Sequence, residues 1–527
     1  MADCDVLVVG AGPGGLFLAA ELCRFGVRPR ILDQNAARLT ANRAVAVHAR
    51  TLEVLDDAGI AARIVEAGHK IHGAALYAGG RRVLHFTFDE LDSPFPFAID
   101  LRQSETELIL EEHLRNLGVE VERGNYVTGL QRKEASIRVF LQAPGSMPES
   151  IEARHVVGCD GAHSTVRHQF GMVLENSGSF ETYLAADIRL HTGEPDDEWR
   201  LYFTEEGALA YSPLGNGWYR MIADSRVAPD LGSIRGLAAA HGAAVEEIGS
   251  VATYRTQSRR AARCSKGRIF LVGDAAHVYP PAGGQGLNAA IQDAQNLAWK
   301  LALAVQGKAC PEVLESYDAE RSAVARSTSS LTADLARVAN LRGPVSQRVR
   351  DWMLPLIAGF DVLQQRLSRH IAELDINYRR SPIVSEYGRW YSPGPVPGDR
   401  AADAVLSDGS RLFDRIRGNG HKVLMFAGEQ PVGEDLRGFG NIERYMREGY
   451  PGDVSAFLVA RAAVPWSGPL IGDASGTAHH RYGAGLPCVY VIRPDGYVGF
   501  RSLSSDPLPV LEFFGRTFQP VPEPELA

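Results

Sequence analysis

The chain has 527 residues, a length that suits about three or four domains. Hydrophobic residues make up 45% and charged residues 22%, a globular composition that excludes a wholly disordered or fibrous chain. With 55 Lys and Arg against 63 Asp and Glu the net charge is -8, which argues against nucleic acid as a partner.

In chain order, Asp5–Val9 is a short β-branched apolar run that ends at Gly10-Ala11-Gly12-Pro13-Gly14-Gly15. Leu16, Ala19, Ala20 and Leu22 then recur at helical spacing, and Arg30-Ile31-Leu32 forms a second apolar run ending at Asp33. Strand, glycine-rich turn, helix and strand make a βαβ unit. His155–Cys159 and Arg268–Val272 read as further buried strands, ending at Asp160-Gly161 and Gly273-Asp274. Between them, Trp199–Thr204, Ala208–Ser212 and Trp218–Ala223 read as an inserted antiparallel meander. From Leu287 to Val305 apolar residues recur near every 3.6 positions, which predicts a long amphipathic helix. Residues 312–340 and 346–373 also read as helices, and 391–398 as a Pro/Gly linker. Beyond it, Lys422–Phe426, Ala456–Ala460, Cys488–Ile492 and Tyr497–Phe500 predict a small separate α/β domain.

No apolar run approaches the roughly 18–20 residues a membrane span needs. The opening Met1–Asp5 lacks the basic segment of a signal peptide. The six cysteines (4, 23, 159, 264, 310 and 488) include no CxxC. Reduced thiols in a cytoplasmic protein are expected, with no disulfide frame and no metal site.

Gly10, Gly12 and Gly15 form G-x-G-x-x-G between strand and helix. The first glycine permits the turn, the second lets backbone approach a pyrophosphate, and the third lets helix pack on strand. The helix N-terminus then presents free N–H groups and a positive dipole end to the phosphates. Asp33 lies 23 residues beyond Gly10, where an acid binds an adenosine ribose hydroxyl, as in NAD or FAD. Residues 271–288 decide between these two. Asp274 suits a ribityl chain, the Gly283–Gly286 run admits a flat ring, and the helix starting near Leu287 points its positive end at that ring. An NAD dehydrogenase without flavin has no use for this second loop.

On these residues the sequence resembles the class A flavoprotein aromatic hydroxylases, the para-hydroxybenzoate hydroxylase-like monooxygenases. The motifs are Gly10–Gly15, Cys159–Arg167, Gly273–His277, Pro281–Asn288 and Asp293–Leu301, in that order to about residue 325. The C-terminal part, with Gly398-Asp399-Arg400 and Arg493–Tyr497, resembles the thioredoxin-like domain of the phenol hydroxylase and aromatic polyketide hydroxylase branch. The implied fold is α/β. A Rossmann-like FAD-binding domain with trailing helices takes residues 1–175 and 267–385, an inserted antiparallel-sheet substrate domain takes 176–266, and a thioredoxin-like domain takes 386–527. Residues of about 70–102 are candidates to join the middle sheet.

The resemblance also implies roles. Gly10, Gly12, Gly14 and Gly15 would hold the FAD pyrophosphate, Asp33 the ribose, and Arg43 would stand near the phosphates. Gln103 would contact flavin or ribityl, Val127 would offer backbone to adenine, and Asp274 would hold the ribityl. Gly286, Leu287 and Asn288 would offer backbone to the isoalloxazine, while Asp160 and Arg167 would serve both FAD and the nicotinamide donor. Other readings stay open. Arg43 also suits a surface position, Ser104–Glu107 also reads as a capping box, and Asp160 with Arg167 also suits an internal ion pair. His163 and His277 read as structural, and His479-His480 as a solvated loop.

The implied reaction is FAD-dependent and consumes NADPH or NADH. A flavin C4a-hydroperoxide transfers one atom of molecular oxygen to a phenolic or polycyclic aromatic substrate. Aromatic side chains crowd the middle sheet, and Tyr202, Tyr211, Trp218 and Arg220 are candidates to line the substrate pocket. Strand alternation sends Trp218, Arg220 and Ile222 to one face and Tyr219 and Met221 to the other. His48 and His72 are further candidates for polar contacts, and no spacing selects a catalytic residue. A Baeyer–Villiger oxygenation, a flavin-binding protein that shields a ligand without hydroxylating it, and a flavin-free dehydrogenase are the alternatives. Monomer and homodimer both remain open.

Overall fold

The computed structural model describes residues 2–38, 45–176, 180–191, 196–203, 208–224, 231–240, 243–279, 284–339, 361–388 and 393–519, with backbone alone at 231, 240, 328–339 and 361–363. They divide into two compact units. One comprises 1–23, 28–294 and 322–374; the other comprises 24–27, 295–321 and 375–527.

In the first unit the βαβ reading takes shape as an eight-stranded sheet. Cys4–Val9 lies between Glu149–Gly158 and Arg30–Asp33, parallel to both. Val121–Arg123 extends the parallel set on one side and Ile269–Leu271 on the other. Val6, Leu7 and Val8 are fully buried, as a strand covered on both faces requires. The strands end toward one edge, and the loops that leave them there carry Gly10–Gly15, Asp33, Asp160 and Asp274. Ligands of open parallel sheets bind beyond this carboxyl edge.

The meander belongs to a seven-stranded sheet. Its order is Ala244–Thr256, Glu181–His191, Trp218–Asp224, Ala208–Gly215, Glu198–Phe203, Gly73–Ala78, Arg81–Thr87. The strand Glu198–Phe203 pairs parallel with Gly73–Ala78, so residues from the 70–102 segment do enter this sheet. One face packs Leu184, Ala186, Ile188, Tyr219 and Met221 against Ile234 and Ala238 of the helix Leu231–Ala240.

The predicted long helix runs Gln285–Val305. Pro311–Ala339 and Asp361–Ile371 are helical, and residues 340–360 lie outside the described residues.

The second unit is built on a mixed six-stranded sheet. His421–Phe426 sits at its centre, parallel to Val454–Ala460 and antiparallel to Cys488–Ile492, which forms a hairpin with Val498–Ser502. Alternation along the central strand sends Val423 and Met425 into one apolar cluster and Leu424 and Phe426 into another. This accounts for the unbroken apolar run in its sequence. Beside the sheet lies a fully buried ionic cluster. Arg493 donates to both oxygens of Glu320, at 2.7 and 2.9 Å, and Lys300 Nζ donates to Glu320 at 2.7 Å. Asp495 accepts from Arg493 Nε at 3.0 Å and from the Trp299 indole at 3.2 Å. Burial opposes the ionised form of Glu320, but Arg493 and Lys300 outweigh it and hold the carboxyl well below its usual range.

His479 departs from its expected solvated loop. It lies on the short helix Thr477–Arg481, only 4% exposed, with Nδ1 2.8 Å from Asp473 Oδ2. The helix turns His479 inward against Phe426, while His480 stays exposed. Cys488 is buried in the same core, which pushes its thiol up and makes it inert as a nucleophile.

Candidate active site

The glycine-rich loop shows three different physical demands. Gly10 has φ +107°, and a Cβ there would lie 2.3 Å from the Cys159 carbonyl oxygen. A Cβ on Gly15 would lie 2.0 Å from the Gly10 carbonyl oxygen, and one on Gly14 would crowd Val272 and Ala290. Gly12 is the opposite case, since a Cβ there meets nothing within 4 Å. The loop is therefore closed against the sheet and open at Gly12, at the N-terminus of the helix Pro13–Arg24, whose first N–H groups lack helical partners. That is a cradle for a diphosphate. Asp33 closes the turn. Its Oδ2 accepts from Ala11 N at 2.8 Å and its Oδ1 from Asn35 N at 2.7 Å. Asn125 N donates to the Asp33 carbonyl at 3.0 Å, which sets Val127 on the adjoining strand Tyr126–Arg132.

The second loop is organised by two buried side chains. Asp293, on the long helix, accepts from Gly273 N at 2.9 Å and from His277 Nε2 at 2.7 Å. His277 thus anchors the turn that carries Asp274. The Asn288 side chain is fully buried and holds three groups. Its Nδ2 donates to the Ala46 carbonyl at 2.9 Å and the Gly284 carbonyl at 2.8 Å, and its Oδ1 accepts from His48 N at 2.9 Å. These bonds tie the strand Ala46–Val47 to the start of the long helix. The backbone N–H groups of Gly286, Leu287 and Asn288 lie in that helix's first turn, where no intrahelical partner exists. The helix presents a positive end there, suited to a flat, electron-rich ligand. Asp274 stands beside it, with Oδ1 3.9 Å from a Cβ built on Gly286.

Asp160 and Arg167 are brought together without forming the ion pair that was open. Asp160 accepts from Ser164 Oγ at 2.5 Å and Val166 N at 3.1 Å, so it caps the helix Thr165–Gln169. Burial pushes its carboxyl up. Arg167 donates instead to the carbonyls of Ala275 at 3.0 Å and Ala162 at 2.9 Å, joining the two loops. His163 is exposed. Gln103 begins the helix Gln103–Asn116, and its Nε2 donates to Glu107 at 2.8 Å. The Ser104–Glu107 capping box does not form: the N-cap is Arg102, two residues before Ser104, so Glu107 is not the N3 residue. Arg43 and residues 280–283 lie outside the described residues.

The four sheet candidates do not share a pocket. Tyr211 pairs across the sheet with Met221, and Tyr202 with Leu209, so both stand on the face covered by Leu231–Ala240. Tyr202 stacks on Tyr77 at 4.7 Å and meets Tyr211 edge-on at 5.8 Å. Trp218 and Arg220 stand on the opposite face. The correction follows from period-2 alternation combined with a register that the sequence does not display. His72 pairs with Asp89 at 3.0 Å in a half-exposed position.

On the Arg220 face lies a polar set of which sequence reading named only Arg220 and His48, and missed Asp187, Asp100 and Trp199. Arg220, 1% exposed, donates to Asp187 at 2.5 Å. Asp187 also accepts from Ser250 Oγ at 3.1 Å and Arg102 Nε at 3.3 Å. Trp199 Nε1 donates to Asp100 Oδ2 at 2.8 Å, and the Trp199 ring meets His48 edge-on at 5.7 Å. One signal was available. Asp100 interrupts the apolar run Phe95–Leu101, and a carboxylate in such a run is seldom buried without a purpose.

Residues 3–332 match the model of the FAD binding domain family. The chain belongs to this family. It is 31% identical over 526 residues to the 6-methylpretetramide 4-monooxygenase of Streptomyces rimosus, covering 95% of this chain and 91% of that one. It is 30% identical over 438 residues to the pentachlorophenol 4-monooxygenase of Sphingobium chlorophenolicum, covering 80% of each. A solved ternary complex of aklavinone-11 hydroxylase with FAD and aklavinone superposes with a TM-score of 0.78 at 25% identity, covering 98% of this chain and 99% of that one. This protein is accordingly a flavoprotein monooxygenase of the aromatic hydroxylase class, with FAD as cofactor and NADPH or NADH as electron donor. The open Gly12 position and the paired helix N-termini fit FAD. Among the described residues no helix is long and apolar enough to cross a membrane.

Proposed function

We propose that this enzyme hydroxylates a phenolic or polycyclic, polyketide-like aromatic, using molecular oxygen. The observation that carries the substrate class is the shared character of its relatives' substrates, named on 6-methylpretetramide and pentachlorophenol, at 30% identity or above across most of the chain. The polar set around Arg220 supports it, because a fixed guanidinium offers a counter-charge to an ionised hydroxyl.

In this reading Gly10, Gly12, Gly14 and Gly15 hold the diphosphate, and Asp33 and Val127 the adenosine. Asp274, Gln103 and Arg43 serve the ribityl and phosphate region. Asp160 and Arg167 brace the loops, and Gly286, Leu287 and Asn288 present backbone N–H groups to the ring. FAD, when bound, supplies oxygen activation. The chain's part is to orient the substrate against the ring and to exclude water. Trp218 and Arg220 stay as substrate contacts, while Tyr202 and Tyr211 support the sheet from behind. The 386–527 segment is thioredoxin-like in this proposal. Its support is the parallel pair His421–Phe426 and Val454–Ala460 joined through the helix Gly433–Gly449, followed by a hairpin and a closing helix, Pro507–Thr517. Without a dithiol it acts structurally. The protein works in the cytoplasm as a monomer or homodimer.

The test loads the protein with FAD and follows NADPH and NADH oxidation in air with anhydrotetracycline, 4-nitrophenol and 1-naphthol. The expected result is aromatic-stimulated oxidation and a product heavier by one oxygen. A lactone product would reassign the reaction to Baeyer–Villiger oxygenation, and bound flavin that no aromatic stimulates would sink the proposal.

A further inference from the structure

Asp100 ends the short strand Ala98–Asp100, paired through backbone with Ala46 on one side and His69 on the other. Ala46 is the residue whose carbonyl Asn288 holds at the start of the long helix. Asp100 therefore sits between that helix start and the Arg220 face of the middle sheet. The carboxyl is 1% exposed. Its Oδ2 takes the Trp199 indole proton at 2.8 Å, and the Ser212 hydroxyl also hydrogen-bonds the carboxyl. Its Oδ1 is buried and has no hydrogen-bond partner among the described residues. A buried carboxylate oxygen without a donor is costly, and native proteins keep such an atom where a ligand or a proton completes it.

Charged and titratable groups face it from the packed elements. Arg220 faces it from the sheet and is already engaged with Asp187, which Arg102 also contacts. His48 lies beyond the Trp199 ring, and His69 is on the neighbouring strand. Among the described residues no cation pairs with Asp100, so burial dominates and pushes its carboxyl up to about 7, against smaller opposing effects from Trp199, Ser212 and Arg220. A proton acceptor poised near neutrality is what a phenol needs to bind in its more electron-rich, ionised form.

We propose that Asp100 is the proton acceptor for the substrate hydroxyl, its free Oδ1 taking the proton as a phenolic ligand binds on the Arg220 face. The O–H bond of the phenol breaks and an O–H bond forms on Asp100. Phenol and carboxylate become phenolate and carboxylic acid with no net change of charge, and Arg220 faces the phenolate. The step needs no co-reactant. The proposal rests on the hydroxylase reading above.

The test compares the FAD-loaded parent with Asp100→Asn, which keeps shape and an acceptor for Trp199, after checking that both fold and bind FAD alike. The first readout needs no substrate: difference infrared spectra across pH 5 to 9 follow the protonated carboxyl band. A band that disappears with a midpoint near pH 7 in the parent and is absent from Asp100→Asn supports the assignment; a carboxyl ionised or protonated throughout overturns it. The second readout is the pH profile of kcat/KM with the member of the aromatic panel that the parent turns over fastest. Asp100→Asn is expected to lose the acid limb of the profile and about 100-fold in kcat/KM at neutral pH, with little change at high pH where the phenol is already ionised. An unchanged profile in Asp100→Asn overturns the assignment alone. A parent inert toward the whole panel overturns the hydroxylase reading and this proposal with it.

Discussion

Two buried carboxyl groups in this molecule have opposite surroundings. Glu320, in the second unit, meets two cations and several neutral donors, so both its oxygens are occupied. Asp100, in the first, accepts from Trp199 and Ser212 yet keeps one oxygen empty-handed, and its nearest cation is engaged with Asp187. The same burial gives opposite chemistry. Partners hold Glu320 ionised, whereas desolvation pushes Asp100 toward its neutral form. A saturated buried network specifies structure; an unsaturated one leaves an atom that a ligand or a proton can complete.

The sharpest way to break this contrast is to remove Glu320. Glu320→Ala leaves Lys300 and Arg493 buried without their shared partner, and we expect about 5 kcal/mol of lost stability in denaturant unfolding. A loss below about 1 kcal/mol would show that the cluster relaxes or hydrates. Asp100 predicts a pH effect instead. Its folded value of about 7 lies above the ordinary 3.8, so the native state binds the proton more tightly than the unfolded chain. The associated stability is complete below about pH 4 and is lost as pH rises through 7, by about 4 kcal/mol in total. Against Asp100→Asn, measured over the same range, the parent should lose ground steadily as pH climbs from 4 to 8; parallel curves would refute the shift.

Smaller effects sharpen the cofactor side. Asp274→Ala should weaken FAD binding by about 2 kcal/mol, roughly 30-fold, because the ribityl hydroxyls lose a charged acceptor. Gln103→Ala should cost under 1 kcal/mol, since that amide already serves Glu107. Fluorescence titration with FAD ranks the two, and a reversed order would exchange their roles.

What the sequence disclosed follows the range of the interactions involved. Gly10, Gly12, Gly15 and Asp33 belong to one local turn, so their chemistry is written in consecutive residues. The long helix from Gln285 shows its period directly. Sheet faces are a different matter. Tyr202 and Tyr211 read as pocket residues because aromatics cluster there, but the pairing of Tyr211 with Met221 places them behind the sheet. Asp100 and Trp199 are 99 residues apart, and only the folded register makes them partners. His479 looked solvated beside His480 because adjacent residues of a short helix point in different directions, one of them into the core.

The ionic cluster also bears on how such a protein can be cut. Lys300 and Glu320 come from the middle of the chain, while Arg493 and Asp495 arrive almost at its end. A shortened gene product stopping after the Pro/Gly segment near residue 395 would strand a lysine and a glutamate that were folded to meet two late-arriving partners. The segment beyond residue 395 is therefore no detachable appendage, and during synthesis this cluster can settle only after the ribosome has delivered Asp495.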